Sequence, residues 1–323
     1  MAIPEKFRNR LRLPAIAAPM FLTSGPDLVV ETCRAGLIGT FPSLNQRTSK
    51  GYGEWLEQIE ERLDTLPDAA PYGVNLIVHK SNPRVEADLK VTVDHKVPLV
   101  ITSLGAVRDV VDAVHSYGGL VFHDVINRRH AEKAAEAGVD GIIAVCAGAG
   151  GHAGTMSPFA LIPEIASFFS GTIVLSGAIS TGRQIAAARM MGADFAYLGT
   201  RFIATRESMA ADAYKEMIIA SSAADVVYTP AISGVNANFL RPSIAAAGLD
   251  PDNLPDHGKM DMSNESRAWK NVWSAGQGVG SISAVPPVAE LCKDLISEYR
   301  KAMEEAAEDP FQDLSARSMR LMA

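Results

Sequence analysis

Residues 119–147, GLVFHDVINRRHAEKAAEAGVDGIIAVCA, contain two short apolar runs separated by an amphipathic segment. The runs at 119–125 and 141–147 predict strands, and residues 127–137 predict a helix that opens at Asn127, a common N-cap residue. Short, largely apolar strands that alternate with helices are typical of a parallel sheet covered by helices. This stretch is therefore a β-α-β unit.

The same alternation extends in both directions, from residue 15 to residue 220. Further strands are predicted at 15–19, 37–42, 72–78, 97–103, 172–178 and 195–200. Further helices are predicted at 26–35, 53–66, 82–93, 107–116, 157–168, 180–191 (opening at Ser180) and 208–220. Eight strand-helix units in order favour an α/β fold, a closed (β/α)8 barrel of the triosephosphate isomerase type, with a doubly wound open sheet as the alternative.

The chain of 323 residues is longer than a bare barrel of about 250 residues. Beyond residue 220 the sequence changes to segments that contain Pro, Asn and Ser, followed by a helical pattern at about 284–305. We expect a barrel over 1–225, a lid region over the barrel mouth at 226–282, and a C-terminal helix and tail at 283–323 that pack back on the barrel. The tail from residue 309 would also fit a contact with a second subunit in a homodimer.

Composition narrows the classes of partner. The formal charge is −7 and no dense Lys/Arg run occurs, which argues against nucleic acid and anionic membranes as partners and favours small molecules. The three cysteines, Cys33, Cys146 and Cys292, are far apart, which fits a reducing cytoplasm without disulfides. The charged N-terminus lacks a signal-peptide core and no segment is apolar for about 18 residues, so a cytoplasmic protein is expected.

Barrel active sites form at the carboxyl ends of the strands. Polar or glycine-rich residues occupy this position in seven of the eight predicted units: Pro19–Met20, Asn75, Ser103, His123–Asp124, the loop that contains His152, Ser176–Gly177–Ala178, and Gly199–Thr200. We therefore expect one site at the end of the barrel where the carboxyl ends of the strands meet.

The loop CAGAGGHAG, residues 146–154, places His152 among glycines directly after a predicted strand. Glycines allow a ligand close to the backbone, so His152 is a candidate catalytic base, the alternative being a histidine that bonds nearby carbonyls. The glycine spacing resembles a dinucleotide-binding fingerprint, but the required helix and acidic residue do not follow. No partner at metal-ligand spacing accompanies His152, so no metal is expected.

Small residues follow the last two predicted strands. Loops at this position of a barrel often bind phosphate through backbone N–H groups, and Ser176 and Thr200 would add hydroxyl donors. Ordinary tight turns are the alternative. A second glycine-rich stretch, WSAGQGVG at 273–280, would bring Ser274, Gly276 and Gln277 over the barrel mouth, unless it is a plain surface turn.

Seven segments resemble one enzyme family. They are GVNL at 73–76, EAGVDG at 136–141, GHAG at 151–154, SGAI at 176–179, MGAD at 191–194, LGTRFIATRE at 198–207 and WSAG at 273–276. In this order they are similar to the nitronate monooxygenases, formerly called 2-nitropropane dioxygenases, over residues 14–295. NADH:quinone reductases and FMN-dependent enoyl-acyl carrier protein reductases are related flavin barrels with similar features.

The resemblance implies a barrel that binds FMN noncovalently at the strand ends. Its phosphate would lie on Gly177, Ala178, Gly199 and Thr200, and its ring near Pro19, Met20 and Asn75. The other expected cofactor-binding residues are His123, Asp124, Gly151 and Ser176. His152 matches the family's active-site histidine, which would take the α proton of a nitroalkane or hold the nitronate oxygens. The products would be a carbonyl compound and nitrite, with O2 as acceptor and propionate 3-nitronate as one substrate.

Three alternatives remain open at this point. The first keeps FMN but reduces a quinone or an enoyl thioester with NAD(P)H. The second is a barrel without flavin that acts on a sugar phosphate or nucleotide, with Cys146 as nucleophile. The third is a binding barrel without chemistry.

Two positions depart from the family pattern. Asp124 follows His123 where several relatives carry a lysine aimed at the flavin ring, and Pro19–Met20 replaces a Gly-Gly-Met sequence. An ionised aspartate would oppose negative charge on the ring. Either His123 supplies the positive charge, or the electrostatics of this site differ from those of the relatives.

Overall fold

Eight parallel strands close into a barrel in the computed structural model, which describes residues 2–79, 81–105, 108–254 and 270–309. The barrel strands are β1 (Ala15–Ala17), β2 (Ile38–Pro42), β3 (Tyr72–Ile77), β4 (Leu99–Ser103), β5 (Leu120–Val125), β6 (Gly141–Val145), β8 (Thr172–Ser176) and β9 (Phe195–Leu198). Outside the barrel, β7 is the two-residue strand Gly151–His152. Ile16 of β1 lies opposite both Ile38 of β2 and Tyr197 of β9. This closure confirms the predicted barrel and rules out the open sheet.

Helix α1 precedes the first strand, and most of the other helices follow barrel strands and cover the barrel. They are α1 (Glu5–Arg8), α2 (Pro26–Arg34), α3 (Ser49–Asp64), α4 (Val85–Asp94), α5 (Arg108–His115), α6 (Arg128–Glu136), α7 (Pro158–Ala166), α8 (Gly182–Met190), α9 (Thr200–Ile203), α10 (Asp212–Ala220), α11 (Arg241–Ala246) and α12 (Val288–Ala307). Short 3-10 helices occur at Ser43–Asn45, Ala223–Asp225 and Gln277–Ser281.

Two predicted helix caps have different outcomes. Asn127 caps α6 as expected, because its side chain accepts a hydrogen bond from the His130 N–H. Ser180 does not cap α8. Thr181 does so instead, in a capping box in which its hydroxyl accepts from the Gln184 N–H while the Gln184 side chain accepts from the Thr181 N–H.

The barrel interior is filled by apolar side chains. Ile101, Phe122 and Phe195 point inward from their strands and are fully buried in one cluster. Phe7 of α1 packs into the same cluster, where it is 1% exposed. Because side chains fill the interior, a ligand has room only at the carboxyl ends of the strands.

The region after the last barrel helix contains an antiparallel sheet that was not predicted. Its strands are β10 (Val226–Thr229) and β11 (Ala237–Leu240), and β11 also pairs with β7, so that Ala237 lies opposite His152. All four residues of β11 are buried, so the strand lacks the polar-apolar alternation that marks a strand in sequence. The predicted strand 195–200 was too long, because it ends at Leu198 and Thr200 begins α9.

The last described helix, α12, packs on α8 and α2, the helices that follow the seventh and first barrel strands. The proposed division at residues 225 and 282 remains a prediction. Residues 255–269 of the predicted lid, and 310–323 of the predicted tail and dimer contact, lie outside the described residues. No helix among the described residues is long and apolar enough to cross a membrane.

Candidate active site

A cavity of about 1440 Å³ opens at the carboxyl ends of the barrel strands. Its wall combines strand ends, the loops that follow them, and residues of the segment after α10. Small-ligand sites are typically about 300–1,000 Å³. The cavity is therefore large enough for a cofactor and a substrate together.

The structure brings all but one of the predicted site residues to this cavity. Those in its wall are Pro19, Met20, Asn75, His123, Asp124, Gly151, His152, Ser176, Gly177, Ala178, Gly199, Thr200, Ser274 and Gly276. Gln277 is not in the wall and is exposed. Its backbone N–H donates to the carbonyl oxygen of Gly148 at 2.8 Å, so Gln277 holds the backbone of the glycine-rich loop.

His152 lies on a paired strand, although the sequence placed it in a loop. Its neighbour Gly151 has a φ of +70°, a conformation that favours glycine, and this turn leads the chain into β7. Asn238 of β11 donates from Nδ2 to the carbonyl oxygen of Ala149 at 2.6 Å. The imidazole is thus carried by a backbone that pairs with β11, and it lines the cavity.

The 273–278 segment holds this backbone in place. Ser274 Oγ accepts from the Gly151 N–H at 2.6 Å and donates to the Asn238 carbonyl oxygen at 2.7 Å, which links β7 to β11. Trp273 stacks on Tyr214, with ring centroids 5.0 Å apart. Gly276 donates its N–H to Thr200 Oγ1 at 2.8 Å. The segment therefore forms part of the cavity wall between His152 and the end of β9.

A chain of hydrogen bonds crosses the top of the barrel interior. Asn75 Nδ2 donates to Ser103 Oγ at 2.7 Å, and Ser103 Oγ donates to Asp124 Oδ2 at 2.6 Å. These residues are the last or next-to-last inward-facing residues of β3, β4 and β5, directly above the apolar interior. Burial raises the pKa of Asp124 to about 6, although the Ser103 hydrogen bond and the charge of His152 act in the opposite direction.

His123 lies on the other face of β5. Its Nδ1 is 2.8 Å from the hydroxyl of Thr102, and the ring is 6% exposed. Burial lowers its pKa to about 4, so the ring is neutral at pH 7. A neutral His123 supplies no positive charge beside Asp124, which favours the second possibility raised by the sequence, that the electrostatics of this site differ from those of the relatives.

The loops after β8 and β9 form the opposite end of the cavity. Gly177 and Ala178 both have positive φ, at +146° and +54°, which turns the backbone sharply after β8. A Cβ at Gly177 would lie 2.9 Å from the carbonyl oxygen of Ala147, so only glycine fits there. The Ser180 hydroxyl is buried without a hydrogen-bond partner among the described residues.

The N-terminus of α8 is already satisfied by protein groups. Gln184 Oε1 accepts from the N–H groups of Ser180 and Thr181, and Glu298 Oε2 of α12 accepts from Gly182. An anion at this end of the cavity would therefore meet the turn at 177–178 and the hydroxyls of Ser180 and Thr200, rather than the helix terminus.

Cys146 lies outside the cavity wall and is fully buried. Burial raises the pKa of its thiol to about 12, which suppresses the thiolate that a nucleophile requires. The alternative with Cys146 as nucleophile is therefore disfavoured. Among the described residues, no group of three His, Cys, Asp or Glu side chains is placed to hold a metal ion.

Several wall residues were not selected as site residues from the sequence. The sequence indicates that Ser103 ends a strand, but not that it donates a hydrogen bond to Asp124, because Asp124 lies on the neighbouring strand. Ser180 was interpreted as a helix cap. Tyr197 looked like an ordinary strand residue. Only strand position could have identified Ser103 and Tyr197, since both are the last or nearly last inward-facing residues of barrel strands.

Comparison with known proteins places this geometry in a family. The family model described as nitronate monooxygenase matches residues 82–298. The chain belongs to the nitronate monooxygenase family. The match confirms the family resemblance that the sequence motifs indicated. The members of this family are flavin-dependent oxidoreductases.

Individual relatives are similar over most of the chain. A nitronate monooxygenase from Pseudomonas aeruginosa is 27% identical, with 90% of this chain and 97% of that protein covered. FabK from Thermotoga maritima has a TM-score of 0.79 at 25% identity, with 93% and 96% covered. A nitroalkane oxidase from Streptomyces ansochromogenes has a TM-score of 0.75 at 25% identity, with 91% and 97% covered.

For another relative, the match covers less than two thirds of the relative's own length. It is a putative monooxygenase from Mycobacterium tuberculosis that is 29% identical over 69% of this chain, and the match spans 64% of its own length.

Proposed function

We propose that this chain is an FMN-dependent nitronate monooxygenase that acts in the cytoplasm. It would oxidise alkyl nitronates such as propionate 3-nitronate, or nitroalkanes, with O2 to a carbonyl compound and nitrite. The observation that carries the proposal is the placement of His152, which is fixed by β11 and Ser274 on the wall of a cavity large enough for cofactor and substrate. Family membership and the named nitronate- and nitroalkane-oxidising relatives support it.

The residues at the β8–β9 end fit the phosphate of FMN. The buried Ser180 hydroxyl without a protein partner is a donor that an anion would satisfy, and the Thr200 hydroxyl, which accepts from Gly276, still has its proton to donate. Backbone N–H groups of Gly177, Ala178 and Gly199 would complete the phosphate site. Pro19, Met20 and Asn75 would lie beside the ring.

When bound, FMN would supply the electron-accepting chemistry that no side chain provides. The contribution of the protein is to place substrate and protons. His152 would remove the α proton of a neutral nitroalkane at a ring nitrogen, or donate an N–H hydrogen bond to the oxygens of a nitronate that arrives as an anion. Ser274 and Asn238 would keep the imidazole in position during this step, because they hold the backbone directly before it.

The test is an absorption spectrum of the purified protein, followed by anaerobic addition of NADH to one sample and ethylnitronate to another. We expect a yellow protein whose flavin is reduced by ethylnitronate and not by NADH. Reduction by NADH would instead assign the NAD(P)H-dependent quinone or enoyl reductase activity. A colourless protein that takes up no FMN would contradict the proposal.

A further inference from the structure

Asp124 uses only one of its two carboxylate oxygens within the described part of the protein. Oδ2 accepts the hydrogen bond from Ser103, whereas Oδ1 is buried and has no hydrogen-bond partner there. A buried carboxylate oxygen without a donor is costly, because it has lost water without replacement. A bound molecule in the cavity would account for this oxygen.

The neighbouring side chains fix the direction of the carboxyl group. Asn75 Nδ2 donates to the carbonyl oxygen of Ile101 at 3.2 Å and to Ser103 Oγ at 2.7 Å. Because Ser103 Oγ accepts from Asn75, its own proton is directed to Asp124 Oδ2. This chain sets the rotation of the carboxyl group, and Asp124 lines the cavity.

The cavity wall contains the cationic side chains of Arg47, Arg84, Lys133 and Lys270 and the imidazole of His130, but none of them is among the groups that shift the pKa of Asp124. Tyr197 of β9 stays a neutral phenol, because burial and the charge of Asp124 raise its pKa well above the usual value. His123, next along β5, is neutral at pH 7 because burial lowers its pKa to about 4. Of the described groups that act on the Asp124 charge, His152 is the one that offers positive charge, and it does so only when protonated. The ionised carboxylate therefore places a negative charge against the cavity.

We propose that Asp124 contacts bound FMN through Oδ1 and, while ionised, disfavours additional negative charge on it, so that reduced FMN binds less tightly than it would beside a neutral side chain. Uptake of one proton from solvent by Asp124 relieves this penalty. The inference rests on the proposed FMN site. Near neutral pH, reduced FMN carries up to one more negative charge than oxidised FMN, and two like charges a few Å apart in a half-buried site change a binding ratio by at least about tenfold.

The test uses Asp124→Asn, whose side-chain oxygen still accepts from Ser103 while the charge is removed. The reduction potential of bound FMN, compared with free FMN, gives the ratio of dissociation constants for the oxidised and reduced forms. At pH 8 we expect Asp124→Asn to favour reduced FMN by at least about tenfold over wild type. The difference should fall to within about twofold at pH 5, where Asp124 of the wild type is protonated. Asp112→Asn, an exposed acid on α5, is the matched control and should behave as wild type.

Ser103→Ala provides a second, independent variant. It keeps the carboxyl group but removes the hydrogen bond that stabilises its ionised form, so the pH at which the ratio changes should move upward from the wild-type value. FMN binding with the same ratio in wild type and Asp124→Asn at pH 8 would overturn this inference and leave the proposed function intact. Failure of wild type to bind FMN would overturn both. A purely structural role of Asp124 would alter FMN affinity without changing the ratio.

Discussion

His152 owes its position to strand pairing more than to the glycines around it. Ala237 of β11 lies opposite it, and the flanking N–H of Gly151 is held by Ser274. A catalytic base must lie within hydrogen-bond reach of the proton that it removes, so a fixed backbone is an advantage. The glycines contribute the turn that leads into β7.

Substitution of His152 tests its role as a base. His152→Ala should retain FMN but reduce turnover by about 100-fold or more with neutral nitroethane, because deprotonation then lacks a base, and by less with preformed ethylnitronate. Steady-state kinetics with both substrates measures this difference. His130→Ala removes another imidazole from the cavity wall, on α6, and should stay within about twofold of wild type. Unchanged turnover of nitroethane by His152→Ala would remove His152 from the mechanism.

Asp124 should make the stability of the apoprotein depend on pH. Its pKa of about 6 in the folded protein is higher than its ordinary value of 3.8, so its stabilising contribution is complete below pH 3.8 and is lost as pH rises through 6. Asp124→Asn avoids this loss of stability, because the amide does not ionise. Its free energy of unfolding should exceed that of wild type by about 2–3 kcal/mol at pH 8, with the difference vanishing near pH 4. Urea unfolding without FMN at several pH values measures this, and a constant difference would contradict the assignment.

At the scale of elements, β7, β11 and the 273–276 segment form one unit that connects the appended region to the barrel. Ser274 is its central residue, since its hydroxyl accepts from one strand and donates to the other. The Tyr214 hydroxyl donates to the Ser274 carbonyl oxygen, which ties the unit to α10. The appended region therefore positions the candidate base as well as covering the cavity.

Ser274→Ala tests this connection. The half-buried Gly151 N–H would lose its acceptor, which costs at most the roughly 1–3 kcal/mol of a fully buried group. We expect faster hydrogen exchange at the Gly151 amide and a lower kcat, while FMN stays bound. Ser281→Ala is the control from the same region, because its hydroxyl only donates to the nearby Gly278 carbonyl oxygen on the surface. Equal exchange rates at Gly151 in both variants would show that Ser274 does not hold the strand.

At the scale of the whole molecule, α12 packs between the helices of the seventh and first barrel units, and its backbone comes close to that of α8. A Cβ added at Gly182, the first residue of α8, would lie 2.1 Å from the carbonyl oxygen of Leu295 and 2.5 Å from the N atom of Tyr299. Backbone atoms cannot rotate away as a side chain can. The helices therefore approach this closely only because residue 182 is glycine.

Gly182→Ala should force α8 and α12 apart. We expect a loss of about 1–3 kcal/mol or more in the free energy of unfolding, measured by urea denaturation. Gly53→Ala on α3 is the matched control, since its nearest neighbour would be an ordinary 3.6 Å contact with Val91 and alanine is the better helix former. It should be neutral or stabilising. Equal stability of Gly182→Ala and wild type would mean that the contact between the helices is not tight.

The sequence alone was enough to predict the barrel and the end of it that carries the cavity, and nearly every predicted site residue lies in the cavity wall. The reason is local: apolar runs and amphipathic segments alternate along the chain, and parallel strands present their carboxyl ends on one side. Residues at those ends, such as Asn75 and Gly177, could therefore be grouped without coordinates. The family motifs then indicated flavin chemistry.

Contacts between residues distant in sequence decided the rest. The small sheet was not predicted because β11 is buried on all sides and β7 is only two residues long, so neither shows a periodic pattern. Gln277 was expected in the wall, yet its backbone supports Gly148 instead. The protonation of His123 and Asp124 depends on burial and on partners from neighbouring strands. Sequence periodicity determined the barrel and the location of its site, whereas tertiary packing determined the charges in that site and the strand that carries His152.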